Sequence, residues 1–184
     1  MNQHDMTRNM VLAALFAALT AIGACLQMPT GTVPITLQFL FTALAGLLLG
    51  WKWGAISQLL YVGIGLLGLP VFTQGGGIGY VLQPSFGFLL GLIPAAAVIG
   101  ALTARRTGYL TVLAAVLVGD LILYAVGVPY MYLILHVYMQ SAKTFPTLLA
   151  AMLVYVPGDT LKIVVVTALA PVLRRTLAKA VPNL

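Results

Sequence analysis

The chain has 184 residues, of which 61% are apolar and 7% charged, with a formal charge of +6 and a mean hydropathy of +1.07. A water-soluble domain of this size must cover itself with polar groups, and nine Lys and Arg with three Asp are too few for that. The composition therefore specifies lipid as the solvent, and it excludes a sizeable extramembrane domain. A spanning helix needs roughly 20 apolar residues, so the length accommodates about six with short connections. No G-x-x-x-x-G-K-[ST] loop occurs, which excludes an ATPase or kinase domain and leaves a gradient or a partner as the energy source. The single Cys25 excludes an internal disulfide and a cysteine-based metal cluster, and no cofactor or metal is expected. Because the basic residues stand singly or in pairs between apolar runs, the positive charge reads as membrane topology rather than as a nucleic-acid surface.

The first apolar run extends from Met10 to about Leu26 and ends in the turn-prone stretch Met28-Pro29-Thr30-Gly31-Thr32-Val33-Pro34. A short second run covers Ile35 to Gly50. The third starts at Trp53, after Lys52, and fades at Leu69-Pro70 before the glycine-rich Thr73-Gln74-Gly75-Gly76-Gly77-Ile78-Gly79. The fourth covers Phe86 to Ala104, the fifth Tyr109 to about Tyr138 and the sixth Pro146 to Leu173. Gly127-Val128-Pro129 is expected to break the fifth, and Pro157-Gly158 the sixth. The pattern predicts an all-α integral membrane protein, with a single domain of six transmembrane helices over residues 1–184.

Assigning alternate loops to one side tests that count. Arg8, Lys52, Arg105, Arg106, Arg174, Arg175 and Lys179 fall on the side of the N-terminus, Lys143 falls opposite, and Lys162 lies within a span. Positive charge accumulates in cytoplasmic connections, so both termini are predicted to be cytoplasmic. Trp51 and Trp53 flank Lys52 as an interfacial belt. The outer loops, 27–34 and 70–85, are uncharged and rich in Gly, Pro, Thr and Gln, as expected of lids that fold onto the bundle. Ile22-Gly23-Ala24-Cys25 faintly matches a lipoprotein cleavage box, but cleavage there would leave five spans and destroy the charge alternation; Cys25 is read as a packing residue.

Few polar residues lie inside the spans. Asp159 and Lys162 sit three positions apart in the sixth, about 60° apart around a helix. A charge at the bilayer centre costs about 2.5–3.5 kcal/mol on insertion scales, so such residues are usually paired, inward-facing and functional. Two readings stand: a ligand site beside a broken helix, or a bridge that only neutralises itself. Asp120 lies about 16 Å along the fifth helix from Tyr109, as a second ligand contact, a partner of a neighbouring helix or a protonated packing residue. Thr36, Gln38, Gln74, Tyr80 and Gln83 are uncharged donors and acceptors near the outer ends of the second and fourth spans; a site for a small polar-headed molecule uses such groups between apolar walls. In the first helix Ala13, Ala14, Ala17, Ala18 and Ala21 form overlapping A-x-x-x-A steps, which allow close approach of another helix, either internal or from a partner.

Val33-Pro34-Ile35-Thr36-Leu37-Gln38, Gly68-Leu69-Pro70-Val71-Phe72, Gly79-Tyr80-Val81-Leu82-Gln83-Pro84-Ser85-Phe86-Gly87 and Pro157-Gly158-Asp159-Thr160-Leu161-Lys162 occur in this order over nearly the whole chain. Together they resemble the BioY family, the biotin-specific S components of energy-coupling factor (ECF) transporters. The resemblance implies the S-component fold and a non-enzymatic subunit of the bacterial cell membrane. Such a subunit captures biotin and docks on a transmembrane T subunit that carries two cytoplasmic ATPases. It also implies that Asp159 and Lys162 belong to the biotin site and that Ala13, Ala17 and Ala21 meet the T subunit; Tyr80, Gln83, Asp120 and Gln38 stand beside them as ligand candidates on their own chemistry and position. Ser85-Phe86-Gly87 departs from the Thr-Gly-Gly type that many members carry after the loop proline. The alternatives are an S component for another vitamin, a self-sufficient carrier without ATPase partners, or a small intramembrane enzyme using Asp159 or Asp120, although no H-E-x-x-H, G-x-S-x-G or carboxylate dyad supports the last.

Overall fold

A computed structural model describes residues 3–29, 33–106 and 108–180. Lipid offers backbone groups no hydrogen-bond partner, so the apolar runs become helices that satisfy themselves. In chain order these are α1 (Gln3–Cys25), α2 (Gln38–Leu66), α3 (Phe86–Thr103), α4 (Tyr109–Leu133), α5 (Phe145–Ala151) and α6 (Val156–Ala180). Two short strands, β1 (Gln27–Met28) and β2 (Ile35–Thr36), pair antiparallel in the first outer loop. Five helices are long and apolar enough to cross a bilayer, and α5 is too short.

The sixth span comes from α2, which is a hairpin. At Gly50 the backbone takes φ 76° and ψ 179°, a conformation that glycine adopts without a Cβ penalty, and the helix reverses. Its limbs, 38–49 and 51–66, run antiparallel. Gln38 Nε2 donates to Tyr61 Oη at 2.7 Å, Thr42 Oγ1 donates to Gln58 Oε1 at 2.9 Å, and a Cβ on Gly54 would lie 2.8 Å from Gly46 Cα. The six spans expected from hydropathy are therefore present, with the second and third joined at the glycine where one run was expected to end.

Two expected breaks fall elsewhere. The fifth span does not unwind at Gly127-Val128-Pro129; α4 continues through Pro129 and ends in a π turn, Ile134–Tyr138. Unwinding at that depth would leave carbonyls without partners, which is why the helix persists. The sixth run divides before Pro157: α5 gives way to a 3₁₀ turn, Met152–Val154, and α6 begins at Val156. Pro157 thus occupies the first turn of α6, where its missing N–H is not needed. Asp159 becomes a first-turn residue rather than a mid-helix one.

One end of the bundle gathers the basic residues. Arg174 Nη2 donates to Leu47 O at 2.7 Å, and its Nη1 reaches Thr103 O at 3.5 Å, joining α6 to the ends of the first α2 limb and of α3. Lys52, Arg105 and Arg106 are exposed at this end, which the charge rule assigns to the cytoplasm, while the Lys179 side chain lies outside the described residues. Trp51 is exposed and Trp53 half-buried there, as an interfacial belt requires.

At the other end the loops lie on the bundle. Gln27 Nε2 donates to Thr73 O at 3.0 Å, tying one loop to the next, and Tyr61 Oη donates to Val71 O at 3.1 Å. Phe72 packs across Gly65 and is 5% exposed, as is Tyr80. Both loops thus fold inward, as their uncharged composition led us to expect; residues 30–32 of the first lie outside the described residues. Cys25, read as a packing residue, is instead exposed where α1 ends.

Candidate ligand-binding site

The outer half of the bundle encloses an open-mouthed cavity, about 620 Å³ with the space at its mouth included. Phe39 from α2, Phe88, Leu89 and Leu92 from α3, and Leu123 from α4 form apolar walls. Val33 to Thr36 come from the first outer loop and its strand, and Thr73, Tyr80 and Ser85 from the second. Asp159 and Lys162 of α6 close the remaining side, with Tyr124, Tyr155, Met152 and Gln38.

Among the described residues that line this space, only Asp159 and Lys162 are charged, and they are 6% and 7% exposed. Lys162 Nζ lies 2.5 Å from Asp159 Oδ1 and donates to Thr36 O at 3.2 Å. Tyr124 Oη donates to Asp159 Oδ2. The start of α6 adds the positive end of its dipole beside the carboxylate. An ammonium has three donors and a carboxylate about four acceptor positions, so these contacts leave one N–H and two lone pairs for a guest. The pair bridges itself and lines the cavity at once, which combines the two readings that spacing left open.

Supporting bonds hold the polar wall. Gln38 donates to Tyr61 and accepts from Thr36 Oγ1 at 2.8 Å. Tyr80 Oη shares a proton with Thr73 Oγ1 at 2.8 Å and approaches Ser85 Oγ at 3.3 Å. Tyr155 Oη donates to Val33 O, fastening the first outer loop to the residue before α6. Where the sequence departs from Thr-Gly-Gly, Ser85 reaches the cavity, and Phe86 is buried against Tyr80 and Tyr130.

Of the expected site residues, the cavity brings together Asp159, Lys162, Tyr80 and Gln38. It does not include Gln83 or Asp120. Gln83 closes the 3₁₀ turn Ile78–Leu82, its backbone bonding to Tyr80 and Phe86. Asp120 lies four positions before Tyr124 on α4, outside the lining, with Oδ1 buried and without a hydrogen-bond partner among the described residues. Tyr124 and Tyr155 were missed. A tyrosine at mid-span, away from the interfacial belt where this residue gathers, was the available signal for Tyr124. Among the described residues no group of three His, Cys, Asp or Glu gathers to hold a metal ion.

The alanine stripe divides between two faces of α1. Ala13 and Ala17 are 1% and 4% exposed, on the buried face of α1, which packs chiefly on α2. Ala14 and Ala18, one position on, are exposed, and Ala21 is half-buried.

A family model for the BioY family matches residues 1–179. The chain belongs to the BioY family. It is 51% identical over 147 residues to a probable biotin transporter BioY of Lysinibacillus sphaericus, covering 79% of this chain and 75% of the relative. It is 39% identical over 188 residues to the biotin transporter BioY of Rhodobacter capsulatus, covering 97% of each. A crystal structure of the S-component for biotin from an ECF-type ABC transporter superposes with a TM-score of 0.83 at 29% identity, covering 95% of each chain. This BioY-family chain thus shares the S-component architecture, as a multi-pass membrane protein.

Proposed function

We propose that the chain is a biotin-binding S component of an ECF-type importer, holding the vitamin in the outer cavity between the Asp159–Lys162 pair and the apolar walls of α2, α3 and α4. It is not an enzyme: it captures a solute and hands it on unchanged. The observation that carries the site is a buried ion pair facing an apolar-walled cavity. Biotin has a ureido head with two N–H donors and a carbonyl, an apolar thioether ring and a carboxylate tail. Asp159 accepts from the ureido N–H groups and Lys162 donates its remaining proton to the ureido oxygen. Charge-assisted bonds in a dry site are about twice as strong as neutral ones. Tyr80 and Gln38 line the same wall, and the rings of Phe39 and Phe88 supply area for the thioether ring.

The test is equilibrium binding of labelled biotin to the purified chain, in competition with riboflavin, thiamine and lipoate. Biotin alone should displace the label; displacement by another of these vitamins reassigns the ligand.

In this reading a T subunit and two ATPases energise transport, this chain having no nucleotide-binding loop of its own. The docking surface is placed on the outward members of the alanine stripe, Ala14 and Ala18, with Ala21 at its edge. Ala14→Trp and Ala18→Trp should leave biotin binding unchanged and reduce copurification with the T subunit, whereas Ala17→Trp should unfold the α1–α2 contact. Full complex recovery with both outward variants would remove this face from the interface.

A further inference from the structure

The chain's one outer-side basic residue outside a span has no role in the account above. Lys143 is exposed at the end opposite the other loop cations. No acid balances it, because the chain has three acids: Asp5 bridges Arg8 in α1, Asp159 bridges Lys162, and Asp120 lies on α4. A positive charge here runs against the topology rule, so a purely orienting role does not explain it.

Lys143 lines a cavity of its own, separate from the one described above. Apolar groups of α4 and α5, Met131 and Leu148, form part of its wall, with Thr147 beside them. Met152 and Tyr155 line both this cavity and the ligand cavity, so they form the partition between the two. The partition is packed, Met152 being buried beside Met131 and Leu148 and Tyr155 bonded to Val33 O, so passage requires the Met152 side chain to change rotamer. Met152 is an unbranched side chain with three rotatable bonds, and it belongs to the 3₁₀ turn between α5 and α6 rather than to a helix interior.

Resting on the proposed biotin function, we infer that this second cavity is the subsite for the ligand's carboxylate. The aliphatic tail passes between Met152 and Tyr155, and the carboxylate meets the Lys143 ammonium at the outer mouth. The ligand class is a monocarboxylate with an aliphatic linker. The ion pair reads the head of the molecule and Lys143 reads its charge.

The experiment crosses the ligand's charge with the residue's. Biotin and its uncharged methyl ester are titrated into the wild-type chain, Lys143→Gln and Lys143→Arg, with dissociation rates followed at low and high salt. Lys143→Gln should weaken biotin about 5- to 10-fold, mainly through faster dissociation, with the loss shrinking as salt rises. The ester should bind both proteins equally, and Lys143→Arg should keep most of the biotin affinity. An equal change for acid and ester would overturn the subsite, because the residue would then act through folding or shape. A change confined to association would overturn it too, as remote attraction without contact. If wild-type protein binds neither compound, the functional reading fails and the subsite falls with it; if wild-type binds biotin but the variants match it, only the subsite falls.

Discussion

The two ends of the bundle are built from different materials. At the cytoplasmic end helices meet backbone to backbone: a Cβ on Gly46 would lie 2.4 Å from Ala96 O, and one on Gly100 would lie 2.3 Å from the Trp51 nitrogen. Arg174 caps two helix ends there, supplying donors to carbonyls that a helix terminus leaves bare. At the outer end α1 still meets the start of α2 closely at Gly23, but the contacts around the cavity are aromatic and α6 begins late, after a turn. Small residues close one end and large ones frame an opening at the other. In lipid, packing rather than hydrophobic burial draws helices together, so the placement of glycine and alanine fixes which end is shut. The cavity is where that close packing is absent.

The sharpest way to break this comparison is at the ion pair. Lys162→Met leaves the Asp159 carboxylate buried without its partner, and loss of one member of such a pair costs about 3–5 kcal/mol. Biotin binding should fall by more than about 100-fold, and the same holds for Asp159→Asn. The double variant should recover thermal stability without recovering binding, since a neutral pair carries little desolvation penalty. Recovery of both would reduce the pair to a structural bridge. At the opposite end, Gly46→Leu or Gly100→Leu should lower stability by about 1–3 kcal/mol or more, read as a drop in melting temperature in detergent. Gly63→Ala, where an added Cβ meets nothing within 4 Å, is the control for an open helical position and should leave stability unchanged or raise it by up to about 1 kcal/mol. If Gly63→Ala proved as damaging as Gly46→Leu, close packing would not be what distinguishes the cytoplasmic end. The smallest effect belongs to Tyr124→Phe, which keeps the ring and removes the donor to Asp159. A hydrogen bond to a charged group contributes about 1.5–3 kcal/mol, part of it retained through rearrangement, so biotin affinity should weaken about 10-fold. An unchanged dissociation constant would show that the hydroxyl does not hold the carboxylate for the ligand.

Much of the site was legible because charge is conspicuous in an apolar chain. Asp159 and Lys162 announce themselves by cost alone, and Gln38 and Tyr80 by their place at the outer ends of spans. Tyr124 and Tyr155 were not singled out, since a tyrosine in a membrane helix is usually assigned to the interface. Gln83 and Asp120 share the site's polar chemistry but lie outside the cavity lining: on a helix or a turn, one position decides which way a side chain faces. The same rotation explains the alanines. Five alanines in A-x-x-x-A steps mark α1 as able to pack closely, but only the fold distinguishes Ala13 and Ala17, which face inward, from Ala14 and Ala18, which face out.

The sequence by itself determined the solvent, the number of spans, their orientation and the cost of two buried charges, because each depends on hydropathy and charge counted along the chain. The tertiary structure alone decided that α2 folds back at Gly50, that α6 begins just before Pro157 so that Asp159 lies in its first turn, and that Tyr124 reaches the carboxylate from another helix. It also decided where the helices part to leave room for a ligand. Those features depend on the rotation of each helix about its axis and on which neighbour fills the space beside it, and hydropathy counted along a chain carries little of either.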